Sequence, residues 1–196
     1  MRTLWHCGVI FLMLFAAPAG AAEKTLYLPT GEAVASPSGW RWFCMRHSSD
    51  CEPTPLPVRV SRKAVWQTLL RVNQSVNAHI KPMTDLEHYG VVEWWAYPTD
   101  GYGDCEDHVL LKRKMLIREG LPQGNLPITI VLNKGEGHAV LIVRTDEGDF
   151  VLDSLTSEVK LWSRTGYQFR SLQSADNPNI WIAVEGGQPV AVAKQK

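Results

Sequence analysis

At Gly120-Leu121-Pro122 the spacing of apolar residues changes character, dividing the chain into a helical half and a β half. Upstream, Val65, Leu69, Val72, Val76 and Ile80 recur every three or four residues, the spacing that lines one face of a helix. Ser61 stands before this run as an N-cap and Pro82 closes it. A second helix is expected from about Asp104 to Glu119, with Val109, Leu111, Met115 and Leu116 among its apolar residues. Downstream, Ile128 to Leu132, Ala139 to Val143 and Phe150 to Leu155 read as strands, with Gln168 to Leu172 and Ile180 to Val184 as two more. Asp146-Glu147-Gly148-Asp149 joins the second and third as a hairpin. Helices first and antiparallel strands later imply an α+β fold. Residues 23–60, rich in proline, are expected to wrap the core irregularly, and residues 83–103 to form turns around Trp94, Trp95 and Tyr97.

A chain of 196 residues can build one compact domain with a sizeable core, and residues 23–196 are read as that domain. Lys plus Arg and Asp plus Glu both number 20, so no basic field recommends nucleic acid or anionic lipid as a partner. Residues 1–22 stand apart. Arg2, the apolar run Gly8 to Ala17, and then Pro18 and the small residues Ala19 to Ala22 have the order of a secretory signal peptide. The run is too short to span a bilayer, so the mature protein is expected in the periplasm or outside the cell, without stable membrane insertion.

Cleavage would remove Cys7 and leave Cys44, Cys51 and Cys105. Cys44 and Cys51 lie close together among prolines and serines, where a disulfide would staple a small loop in an oxidising compartment. Cys105 is then odd: an intermolecular bridge, a buried inert thiol or a reactive one. Gly101-Tyr102-Gly103-Asp104 delivers it to the first turn of the second helix. Backbone N–H groups without helical partners would there stabilise a thiolate and, during acyl transfer, an oxyanion. The alternative is a packed structural thiol.

Acyl chemistry at sulfur also needs a proton acceptor, which imidazole supplies near neutral pH. His108 follows Cys105 by three residues on a neighbouring helix face, whereas His138 follows Gly135-Glu136-Gly137 and opens an apolar strand. His138 is preferred. Asp153, inside the run Phe150 to Leu155, is the candidate orienting acid. A turn centred on Glu147-Gly148 sets it opposite Ile142, about 13 Å along the strand from His138. Contact between them therefore requires a shifted turn, a bulge or strong shear.

Gly103-Asp104-Cys105-Glu106-Asp107, Gly137-His138-Ala139-Val140-Leu141 and Val151-Leu152-Asp153-Ser154-Leu155, in that order, resemble the bacterial transglutaminase-like cysteine peptidases, a group that includes LapG-type periplasmic proteases. The resemblance runs from about Val65 to Leu155 and takes in Val72-Asn73, Val76-Asn77 and Trp95. It implies a papain/transglutaminase-like fold, a triad of Cys105, His138 and Asp153, and peptide-bond hydrolysis through a thioacyl-enzyme. It also implies calcium held by the acids flanking the cysteine, here Asp104 and Glu106, with Asp107 as a further ligand. Carboxylates beside a thiol raise its pKa, and a bound cation would offset them. Trp94 or Trp95 would donate to the oxyanion, as a tryptophan does in transglutaminases, or else pack in the core or wall the substrate groove. The substrate implied is a protein, such as a large surface adhesin clipped near its anchored end and protected by an inner-membrane receptor. Two other readings share these residues: acyl transfer to an amine, and a non-catalytic, calcium-dependent binding module.

Overall fold

The computed structural model describes residues 25–185, and the leader expected over residues 1–22 lies outside them. Two long helices form where the apolar stripes predict: α2 (Arg62–His79), with Ser61 at its N-cap, and α4 (Cys105–Arg118), with Asp104 at its N-cap. The downstream runs become β4 (Ile128–Asn133), β5 (Glu136–Thr145), β6 (Gly148–Leu152), β8 (Gln168–Gln173) and β9 (Trp181–Val184). With β1 (Thr30–Val34) and β7 (Lys160–Leu161) they make one antiparallel sheet in the order β1-β9-β8-β4-β5-β6-β7. A separate parallel pair joins β2 (Lys81–Pro82) to β3 (Tyr102–Gly103), tying the end of α2 to the turn before α4.

The run Ala139 to Val143 is apolar throughout because both of its faces are buried. Ala139, Leu141 and Val143 share a core with Leu69, Val72 and Val76 of α2 and Val109, Leu110 and Leu116 of α4. Val140 and Ile142 face the other way, into a second cluster with Val131, Val151, Phe169 and Leu172. The helix that opens with Cys105 therefore packs against β5, the strand that carries His138 near its start.

Within the stretch 23–60, the described residues 25–60 are more ordered than expected. They contain β1 and α1 (Ser38–Arg46), which sends Trp40 and Phe43 into the main core. Nine residues give little room for a helical period, and Trp42 and Met45 remain exposed, which blurs the stripe. Cys44 and Cys51 are joined by a disulfide that ties α1 to the 3₁₀ turn Ser48–Cys51. A short helix, α3 (Asp85–Tyr89), also stands in the stretch read as turns, opened by a Thr84–Glu87 capping box.

Trp95 is the hub of this end of the core, with ring centroids 6.1 Å from Trp40 and 6.4 Å from Trp181. A Cβ on Gly39 would sit 2.1 Å from Trp95 Cδ1, and that ring is fully buried. Gly39→Ala is accordingly expected to destabilise the protein by about 1–3 kcal/mol through overpacking. The check is a lower urea midpoint at an unchanged m-value.

Candidate active site

The turn before α4 depends on two glycines. Gly101 has φ +87°, a left-handed conformation that side chains disfavour. A Cβ on Gly103 would lie 2.7 Å from Asp107 Oδ2, so the bare glycine lets that carboxylate fold back over the turn. Asp104 occupies the N-cap without making a side-chain cap bond, which leaves its carboxylate for other contacts.

Cys105 is the free cysteine among the described residues and is buried. The backbone N–H of Ala139, the residue after His138, faces the sulfur and lowers the thiol pKa, the smallest of the effects on it. The Cys105 S–H donates to Glu106 Oε2 at 2.7 Å. Burial, then the charges of Glu106 and Asp104, push the thiol well above its ordinary pKa. The flanking acids act on the thiol in the direction expected of them, and desolvation adds to their effect.

His138 and Asp153 meet. His138 Nε2 lies 2.8 Å from Asp153 Oδ1, and both side chains are almost fully buried. The register explains how. Thr145 pairs with Gly148, so Asp146-Glu147 forms the two-residue turn, one position earlier than the sequence suggested. The ladder then runs to Leu141 opposite Leu152, and the next step puts Asp153 across from Val140, diagonal to His138 on the same face. Strand β6 ends at Leu152, so Asp153 begins the following loop rather than lying inside the strand.

That loop is clamped from α2. Asp153 N–H donates to Asn73 Oδ1 at 3.2 Å, and Asn77 Nδ2 donates to the Asp153 carbonyl at 2.8 Å. Asn73 Nδ2 and Asn77 Nδ2 both donate to the Thr156 carbonyl. Burial raises the Asp153 pKa, but bonds from His138, Tyr167 and the Leu155 N–H outweigh it and hold the carboxyl below its usual range. Asn73→Ala would leave the Asp153 N–H without its partner and is expected to cost about 2 kcal/mol. Chemical denaturation, with faster hydrogen exchange at the Asp153 amide, is the measurement. Asn73 and Asn77 stand four residues apart beside the apolar stripe, a signal the sequence does carry.

The acids around Cys105 are more numerous than the sequence implied. Ligand atoms of Asp104, Cys105 and Glu106 lie within 4.8 Å of one another, as do those of Asp85, Asp104 and Asp107. Burial, then Asp104, pushes Asp107 up to about 9 and Glu106 well above its ordinary value. Burial and the same neighbour carry Asp85 to about 6, and burial, with smaller contributions from Asp85 and Asp104, takes Glu93 to about 7. Asp104 Oδ1 and Asp107 Oδ2 are buried and accept no hydrogen bond. Crowded carboxylates with orphaned oxygens are the donor set a hard divalent cation takes. Asp85 and Glu93 lie in the stretch read as turns, where only packing reveals that they face Asp104.

The remaining candidates are engaged elsewhere. The Trp95 indole N–H donates to Glu93 at 2.8 Å, and the Trp94 backbone N–H donates to Asp85. The Trp94 ring lies 3.7 Å beneath the Arg46 guanidinium. Both of these N–H groups are engaged by carboxylates. His108 Nδ1 lies 2.6 Å from the Asp104 carbonyl, bracing the first turn of α4.

A family model described as bacterial transglutaminase-like cysteine proteinase (BTLCP) matches residues 30–189. Among solved structures the chain is similar to calcium-bound LapG of Legionella pneumophila, with 26% identity, 65% of this chain and 72% of that chain covered, and a TM-score of 0.51. A second LapG structure from the same organism shows 30% identity over 61% of this chain and 69% of that one, at a TM-score of 0.50. EGTA-treated LapG shows 30% identity over 61% and 67%, at 0.51. No curated protein matches the chain. With the family match spanning almost the whole described region, and a helix-opening cysteine laid on an antiparallel sheet, the chain belongs to the bacterial transglutaminase-like cysteine proteinases and is a cysteine peptidase.

Proposed function

We propose that this peptidase cleaves a protein substrate through a thioacyl-enzyme, with Cys105 as nucleophile, His138 as base and then acid, and Asp153 as the group that orients the imidazole. The observation that carries the reading is the buried His138–Asp153 hydrogen bond, made from the strand β5 against which the helix opened by Cys105 packs. The imidazole takes the thiol proton as sulfur attacks the scissile carbonyl carbon. Backbone N–H groups in the first turn of α4 hold the oxyanion. The proton then passes from the imidazole to the leaving amine, and water, deprotonated by the same ring, releases the acyl group. Asp153 keeps the ring in one tautomer and stabilises its positive form.

Asp85, Asp104, Asp107 and Glu106 would hold calcium, a reading supported by the orphaned Asp104 and Asp107 oxygens and by calcium-bound LapG. When bound, calcium supplies positive charge beside a thiol whose pKa the same acids raise. The leader sequence supports export, with the periplasm as the site of action. No helix among the described residues is long and apolar enough to cross a membrane. A large surface adhesin as substrate and an inner-membrane receptor as regulator rest on the family resemblance.

Iodoacetamide is expected to alkylate Cys105 rapidly near neutral pH in the calcium-loaded protein, and His138→Ala to slow this at least about tenfold. Equal rates in the two proteins would remove His138 from the mechanism. Comparing proteins shed or shortened by cells carrying wild-type protein or Cys105→Ala identifies the substrate. A labelled amine in the same digest separates hydrolysis from acyl transfer.

A further inference from the structure

We propose that Tyr167 is a positioning residue of this site, its hydroxyl locking the second oxygen of Asp153 while its ring edge closes on His138. The inference rests on the reading of Cys105, His138 and Asp153 given above. Tyr167 immediately precedes β8, following the left-handed turn at Gly166, where φ is +79°. In the sheet order β8-β4-β5-β6, two strands separate β8 from β6, so Tyr167 reaches the site from a part of the chain with no local tie to it.

Asp153 Oδ1 already receives two donors, His138 Nε2 at 2.8 Å and the Leu155 N–H at 3.0 Å. Tyr167 Oη donates to Oδ2. A carboxylate held at only one oxygen can rotate about χ2 and carry Oδ1 away from the imidazole. Held at both, it cannot, and the imidazole inherits that fixed direction. The Tyr167 and His138 rings meet edge to face, with centroids 5.8 Å apart and planes at 67°. A small cavity of about 50 Å³, lined by Val151, Asp153, Thr156 and Tyr167 among others, lies beside this contact.

The titratable groups around Asp153 are His138 from β5 and Tyr167 before β8, both hydrogen-bonded to it, Lys112 from α4, whose pKa its charge raises, and Glu158 and Lys160, which line the same cavity. Burial and Asp153 raise the Tyr167 phenol well above its ordinary pKa, so it remains a donor throughout the working range of a cysteine peptidase.

Tyr167→Phe keeps the ring and deletes only the hydroxyl. In the calcium-loaded full chain, kcat/KM is expected to fall about tenfold or more, chiefly in kcat. The acid limb of the pH profile should move to higher pH, because a carboxylate that loses a donor is protonated more easily. In an Asp153→Ala background the same change should cost nothing further, since Tyr167 acts through that carboxylate. A readout independent of turnover is the downfield proton resonance of His138 Nε2 in folded Cys105→Ala protein. It should shift or broaden when Tyr167→Phe is added. Wild-type kinetics and an unmoved resonance in the Phe variant would overturn the proposal, as would a full additional loss in the Asp153→Ala background. If Cys105→Ala abolishes turnover while Tyr167→Phe changes neither readout, only the Tyr167 assignment falls. Retained turnover in Cys105→Ala would instead remove the reading on which it rests.

Discussion

Cys105→Ala is expected to abolish peptidase turnover, by a factor on the order of 10⁴ or more, while the protein stays folded. The expectation follows from where the sulfur sits. It lies buried at the start of α4, and the hydrogen bond its side chain makes is to the neighbouring Glu106. Replacing S–H by hydrogen removes a small buried group and a bond to Glu106, so the thermal midpoint should change by only a few degrees. His138→Ala should lose nearly as much activity, because in the proposed mechanism nucleophile and base act as a unit and their losses do not add. A protein substrate found by comparing shed proteins, or a fluorogenic peptide derived from it, provides the assay. The binding-module alternative makes the opposite forecast: ligand capture unchanged in Cys105→Ala and no turnover in the wild type.

Calcium should produce the second large effect. At a concentration about 100 times its Kd, a ligand that binds only the folded state contributes about 2.7 kcal/mol, or roughly 5–10 °C in the midpoint of a domain this size. The crowded acids make the sign of the pH dependence definite. Asp85 at about 6, Glu93 at about 7 and Asp107 at about 9 all lie above the ordinary carboxylate range. Between that range and those values the folded protein binds more protons than the unfolded chain, so calcium-free stability falls as pH rises. Bound calcium keeps its carboxylates ionised, and the midpoint should then lose most of that slope. Asp104→Asn/Asp107→Asn should raise the calcium-free midpoint at pH 8 and erase the response to calcium. Thermal unfolding from pH 5 to pH 9, in EGTA and in calcium, measures both. A midpoint indifferent to calcium at every pH would sink the metal assignment.

The parts of this molecule that were legible in advance are those encoded locally. Apolar spacing placed α2 and α4 within about two residues of their ends, and located β4, β5, β6, β8 and β9. Short elements escaped. Helices α1 and α3 have nine and five residues, too few to show a period, and they are held by Trp40, Phe43 and the Thr84 cap rather than by a stripe. Placing the hairpin turn one residue late moved the partner of Asp153 by two positions, because each shift in the turn displaces both strands in opposite directions.

The order of Cys105, His138 and Asp153 along the chain, the helix that begins at the cysteine and the α+β class were determined by the sequence alone, since each depends on residue type and near-neighbour spacing. Tertiary structure decided the rest: the meeting of His138 with Asp153, the clamp from Asn73 and Asn77, the approach of Tyr167, and the gathering of Asp85 and Glu93 around Asp104. It also buried the thiol, and that desolvation adds to the effect of the adjacent acids Glu106 and Asp104. Periodicity along a chain says which face of an element is buried. Which distant side chain meets that face is set by register and packing, and those exist only once the chain has folded.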